Sequence, residues 1–226
     1  NEYLIINKPS NLIMHPGAGC HDGTLANGLL FRFPELRNIP RAGIVHRLDK
    51  DTSGIILIAK TEKFRNYFVQ LLQERKVKKN YKAIVVGKII GSFEITDPIG
   101  RDKNNRTKMA VRPDGKEAFS FVRLEESFQN YSLLDISIET GRTHQIRVHL
   151  SSKKLPIIGD KIYNPSKHIA KETRSDLVDV IRDFPRQALH SYRLSFEDPH
   201  TNEILNFEVP MHEDMKNLIK RFKKHI

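Results

Sequence analysis

Strand-sized apolar runs follow one another along this chain with too little sequence between them for a helix to return each strand parallel to the last. That spacing constrains the fold more than any other feature. Ala188 to Phe196 and Ile204 to Val209 both read as strands, and only seven residues separate them. Ser132 to Ile138 alternates, with Leu134, Ile136 and Ile138 on one face, which predicts a half-buried strand. GIILIAK (Gly54 to Lys60) is an unbroken aliphatic run and reads as a buried strand; Tyr3 to Asn7 and Tyr81 to Val86 complete the set. After Thr61 the period changes: Phe64, Tyr67, Phe68, Leu71 and Leu72 recur at helical spacing, so these aromatics are core residues. Thr24 caps a short helix carrying Leu25, Leu29 and Leu30. A terminal amphipathic helix uses Met215, Leu218, Ile219 and Phe222. Strands outnumber helices, so the expected class is α+β: a large mixed, mostly antiparallel sheet flanked by helices and loops, as one domain over residues 1–226. Asn164 to Gln187 reads as a polar surface excursion with a short helix near Leu177 to Ile181.

Charge narrows the partner. The 226 residues hold 38 Lys and Arg against 27 Asp and Glu, a formal charge of +11. Of this, +9 falls between Lys60 and Lys116, a quarter of the chain. Such clustering favours a polyanion, nucleic acid first, over a uniformly solvated surface. No apolar run approaches the roughly 20 residues of a membrane helix, and the start does not read as a signal peptide. The single cysteine, Cys20, excludes an internal disulfide framework. The expectation is a soluble, basic, cytoplasmic protein, monomeric in the absence of heptads.

Four motifs carry candidate chemistry. HRLDKDTSG (His46 to Gly54) packs five charged or titratable groups into six positions directly before the buried strand, a density that a ligand-facing loop explains and core packing does not. From the residues alone, either Asp49 or Asp51 could be catalytic, or merely cap a turn with Thr52 and Ser53. In ETGRTHQIRVHL (Glu139 to Leu150) a strand ends at Gly141 and a helix begins near Thr143; Arg142 and Arg147, five apart, face different ways. His144 and His149 are also five apart, without an HExxH pattern, so zinc is not expected and satisfied polar histidines are. KVKKNYKAIVVG (Lys76 to Gly87) sends Tyr81 into a strand behind Lys78 and Lys79. LPIIGDKIY (Leu155 to Tyr163) offers Gly159-Asp160 as a turn, with no chemistry expected there.

Taken in this order, HRLDKDTSG, KKNY, GRTHQIRVHL and IIGDKIY resemble the RluA-type family of RNA pseudouridine synthases, over essentially the whole chain. HPGAG (His15 to Gly19), PRAGIVHRLDKDTSG and FPRQALH are similar to the branch that modifies the large ribosomal subunit. The resemblance implies the pseudouridine synthase catalytic fold, no cofactor, an rRNA partner and, as target, uridines in the helix 69 stem-loop of 23S rRNA. It implies that Asp49 is the essential aspartate, that Arg47 enters the RNA stack where the flipped nucleotide was, that Tyr81 is the active-site tyrosine, and that Arg147 pairs with the catalytic aspartate. His46, Arg142, Lys78 and Lys79, in the same motifs, are the further candidates for RNA contact. Many relatives carry an N-terminal S4-like RNA-binding domain; this chain starts directly in the catalytic part and lacks an initiator Met, which reads as a trimmed chain. Two rivals differ in kind. An N-glycosylase would use Asp49 to release a free base, and a non-catalytic ribosome-assembly factor on the same scaffold would keep its RNA role after Asp49→Ala.

Overall fold

The aliphatic run after HRLD becomes the most buried strand of its unit: all seven of its residues are buried in the computed structural model, which describes residues 2–17 and 19–224. Ala18 of the HPGAG loop lies outside the described residues. In chain order the first elements are β1 (Tyr3–Lys8), α1 (Leu25–Arg32), β2 (Ser53–Ala59), α2 (Glu62–Gln73) and β3 (Lys78–Val86). Short strands follow: β4 (Ser92–Ile95), β5 (Ile99–Arg101) and β6 (Met109–Val111). Then come β7 (Ser120–Phe128), β8 (Tyr131–Ile138), α3 (Gln145–Ser152) and α4 (Ser175–Arg182). β9 (Leu189–Glu197), β10 (Ile204–Glu208) and α5 (Glu213–Lys223) close the chain. Two compact units result, one made of the chain up to Lys78 with Ser191–Pro210, the other of Lys79–His190 with the chain from Met211.

In the first unit the strand order is β1-β2-β9, with β10 on β9. β1 pairs antiparallel with β2 from Tyr3↔Ala59 to Lys8↔Gly54. Gly54 has φ 118°, and a Cβ there would lie 2.0 Å from the Ser191 carbonyl oxygen, so only glycine lets the backbones approach this closely. The α2 period works as read. Thr61 caps the helix by accepting the Phe64 N–H, and Phe64, Phe68 and Leu71 pack with Ile55, Leu57, Leu194 and Phe196. Tyr3 stacks on Phe64 with ring centroids 4.7 Å apart. Thr24 caps α1 through a reciprocal box with Asn27.

In the second unit the order is β9-β3-β8-β7-β4, entered by the first two residues of β9. The β3–β8, β7–β8 and β4–β7 pairs are antiparallel, as are β1–β2 and β9–β10, so the α+β class and the mostly antiparallel sheet hold. One expectation fails: β8 is not half-buried. Its Ser132 and Asp135 are buried too, because neighbouring backbone and side chains satisfy them. Asp135 pairs with Arg123 of β7 at 2.7 Å and with Lys82 of β3 at 3.7 Å, and Ser132 donates to the Gly87 carbonyl. α5 adds cover, its Phe222 stacking on Phe128 and Tyr131. The basic stretch around Arg101 to Arg112 forms a hairpin, β5–β6. The strand expected to reach Gly141 stops at Ile138, and the helix expected from Thr143 starts at Gln145, since His144 adopts a left-handed φ of 57°.

Candidate active site

The HRLD turn belongs to the first unit and is built around a buried lysine that sequence reasoning passed over. Lys8 is 0% exposed, and its ammonium donates to the carbonyl oxygens of Pro9 (2.8 Å), Leu12 (3.0 Å) and Lys50 (3.0 Å). The Leu12 N–H donates to that Lys50 oxygen as well, at 3.2 Å. The residue after Asp49 is thereby tied to the loop after β1, and the Thr52 N–H closes the turn on the Asp49 carbonyl at 3.1 Å. Leu48 points into the core while Asp49 stays half-buried. His46 Nε2 accepts the Leu57 N–H at 2.9 Å, which assigns its ring proton to Nδ1 and anchors the loop on β2. Arg47 is exposed. Its charge and that of Arg41, after burial, lower the His15 pKa, so HPGAG, Arg41 and Arg47 form one cationic neighbourhood. Arg41 and Ala42 hold left-handed φ values of 57° and 52°, a strained approach to the motif.

The second unit carries the other candidates. Lys79, Tyr81 and Ala83 alternate inward on β3, whereas Lys78 is exposed. Tyr81 is buried opposite Ile136 of β8. Arg142 sits in the turn before α3 and donates from Nε to the Glu117 carbonyl at 2.7 Å. That turn is stapled by Gln145, another residue the motif analysis did not single out. Its Oε1 accepts from Thr140 Oγ1 (2.8 Å) and the Arg142 N–H (3.0 Å), and its Nε2 donates to the Phe119 carbonyl (2.9 Å). His149 is enclosed between Ser120 Oγ and the Asp97 carbonyl, both at 2.9 Å, and burial lowers its pKa. His144 bonds the Tyr163 hydroxyl at 2.9 Å. Both are satisfied polar histidines, as expected.

The most demanding interaction is Arg147 with Asp160, 4% and 1% exposed. Arg147 Nε donates to Oδ2 at 2.7 Å and Nη2 to Oδ1 at 2.9 Å, a bidentate fork. Asp160 Oδ1 also accepts the N–H groups of Ile162 (2.9 Å) and Tyr163 (3.0 Å). Burial opposes the charge on Asp160 most strongly, yet Arg147 and the two amides together hold its pKa below the ordinary value. The Tyr163 ring lies over the guanidinium, 5.0 Å from Cζ, and its hydroxyl accepts the Met109 N–H at 2.9 Å. Behind the turn, Gly159 (φ 74°) is where a Cβ would meet the Arg186 carbonyl at 2.0 Å. Arg186 in turn forks onto Asp214 at 2.6 and 2.8 Å.

Residues 2–152 match the family described as RNA pseudouridylate synthase, a span that contains HRLD, Tyr81 and Arg147. The chain belongs to that family. Among curated proteins, it is 43% identical over 224 residues to "Ribosomal large subunit pseudouridine synthase D" of Vibrio parahaemolyticus, covering 99% of this chain and 69% of that protein. It is 46% identical over 217 residues to the protein of the same name from Neisseria meningitidis, covering 96% of this chain and 58% of that one. Among solved structures, human RNA pseudouridylate synthase domain containing 4 superposes with a TM-score of 0.75 at 22% identity, covering 98% of this chain and 90% of that chain. Human RNA pseudouridylate synthase domain containing 1 gives 0.69 at 23%, with 99% and 92% covered. These two show the fold.

In this pseudouridylate synthase chain the candidates divide between the units: Asp49, Arg47 and His46 in one with Lys78, and Tyr81, Lys79, Arg142 and Arg147 in the other. Asp160, like Lys8 and Gln145, is a residue that sequence reading missed. The signal was present, since an acid amid Ile157, Ile158 and Ile162 needs a cation, and Arg147 stands in an equally apolar helix. Among the described residues no cluster of three or more His, Cys, Asp or Glu side chains is placed to hold a metal ion.

Proposed function

We propose that this protein isomerises uridine to pseudouridine in large-subunit ribosomal RNA, at the helix 69 stem-loop of 23S rRNA, with Asp49 as the catalytic carboxylate. One observation carries the reading: the motif-bearing chain aligns over 95% or more of its length, at 43–46% identity, with proteins named for that reaction. The chemistry suits the residues. The N1–C1′ bond breaks, the uracil turns, C5 bonds to C1′, and the C5 proton leaves while N1 gains one, so no electrons enter or depart. An ionised carboxylate serves at C1′, at the C2′ proton or at C6, and Asp49 is assigned that work. Arg147, held rigid by Asp160, is assigned the role of orienting the Asp49 carboxylate. Tyr81 packs against the uracil and assists proton removal from C5. Extruding the nucleotide costs a few kcal/mol (order of magnitude), which Arg47 offsets by filling the gap in the stack. The protein acts as a cytoplasmic monomer on this reading; no described helix is long and apolar enough to cross a membrane.

Mapping pseudouridine in large-subunit rRNA after incubation with the protein tests this. New pseudouridine in the helix 69 loop, without free uracil, supports it. Free uracil would make the protein a glycosylase instead, and tight binding with neither product would make it an assembly factor.

A further inference from the structure

Against the turn before α3, β3 presents a buried cation that no acid balances among the described residues. Lys79 is 7% exposed, and no hydrogen bond or ion pair reaches its Nζ among the described residues. The charge beside it has the same sign: burial first, and Arg142 second, pull the Lys79 pKa down to about 8. Arg142 spends Nε on the Glu117 carbonyl, while its two terminal nitrogens have no partner among the described residues. Two neighbouring cations, one desolvated and neither neutralised, are unfavourable until an anion joins them. Access is provided as well. Gly141 is exposed, and a Cβ on it would lie 3.8 Å from Lys79 Nζ, so a side chain there would cover the ammonium and glycine leaves it open. The frame is rigid, because Gln145 clamps the turn at Thr140 and at the Arg142 N–H.

We propose that Lys79 and the terminal nitrogens of Arg142 together seat one phosphodiester of the RNA backbone, reached through the gap above Gly141. The proposal rests on the RNA-modifying reading and identifies which linkage is held. Lys79 and Tyr81 are two residues apart on one face of β3, about 7 Å along the strand. That is the scale of one nucleotide, so a uracil against Tyr81 places an adjoining phosphate at Lys79. The seat binds; it takes no part in bond making.

The test uses the full chain, Lys79→Met and Arg142→Gln variants, and rRNA stem-loops carrying one uncharged methylphosphonate at each linkage around the target uridine in turn. One linkage should weaken wild-type binding about tenfold and weaken Lys79→Met binding clearly less, because only Arg142 then faces that phosphate. Each variant should bind unmodified RNA about tenfold more weakly, with the slope of log K against log salt shallower by about 0.7. Lys79→Met should melt no lower than wild type, since it removes an unpaired buried charge, which separates lost binding from lost folding. Equal losses at every linkage in both proteins, or variant binding within twofold of wild type, would overturn the seat. A wild type that binds but forms no pseudouridine would overturn the functional reading and leave the seat standing.

Discussion

Replacing Asp160 by Asn removes one charge and almost no volume, so its effect isolates the ion pair. The oxygen of the introduced amide can still accept the Ile162 and Tyr163 N–H groups that Oδ1 accepts now, which preserves the turn. The amide nitrogen then meets Arg147 Nε donor to donor, where a 2.7 Å bond stood. Breaking a pair this buried by removing one partner costs about 3–5 kcal/mol, because the remaining charge stays desolvated. Total stability for a domain is roughly 5–15 kcal/mol, so the variant should fold at 25 °C but melt lower, by about 2–4 °C per kcal/mol at this size. The same pair sets acid sensitivity. Asp160 has a depressed folded pKa, so its contribution is complete above the unfolded value near 3.8 and fades as pH falls through the folded one. Urea unfolding at pH 7 and pH 3 should show the wild type converging on Asp160→Asn as acid is added. Pseudouridine formation at saturating RNA should drop at least tenfold, through Arg147. A double variant, Arg147→Met with Asp160→Leu, should regain stability without activity, since apolar replacement of a buried pair is often neutral. A single variant within about 1 kcal/mol of wild type at pH 7 would refute the reasoning.

Three further outcomes follow from the same geometry. Lys8→Met strips three carbonyl oxygens of a charged donor and should cost about 3 kcal/mol in urea unfolding; a loss under about 1 kcal/mol would show that the loop after β1 does not depend on it. Gly54→Ala forces β2 away from Ser191 and should cost at least about 2 kcal/mol, whereas an unchanged unfolding midpoint would contradict the close approach. Lys79 binds its proton less tightly folded (about 8) than unfolded (10.5), so stability should rise with pH between these values; the rise should be smaller in Lys79→Met, and identical slopes would refute the burial argument.

What the sequence disclosed about this fold was whatever is written locally. The unbroken Gly54 to Lys60 run, the helical spacing of Phe64, Phe68 and Leu71, and the Thr24 and Thr61 caps each carry their own meaning, and each element stands where they place it. Boundaries set by backbone strain were less visible. His144 looks like an ordinary helical residue, yet its left-handed φ delays α3 to Gln145. β5 and β6, three residues each, are too short to show a period amid Arg101, Lys103, Arg106 and Lys108. The burial of Ser132 and Asp135 depends on partners 45 and 12 residues away, which alternation within β8 cannot reveal. The site followed the same division. HRLD and KKNY stood out by charge density, and the family resemblance assigned their roles. Lys8, Gln145 and Asp160 each tie their own loop to a partner elsewhere in the chain (the Lys50 carbonyl, the Phe119 carbonyl and Arg147), so each read as an ordinary polar residue.

Asp49 carries the proposed chemistry. Tritium release from 5-tritiated uridine in large-subunit rRNA, wild type against Asp49→Asn, measures the reaction at the atom that loses its proton. Release by the wild type with none above background from a folded, RNA-binding Asp49→Asn is the predicted result. Comparable release from both proteins would contradict the assignment of Asp49 as the catalytic carboxylate.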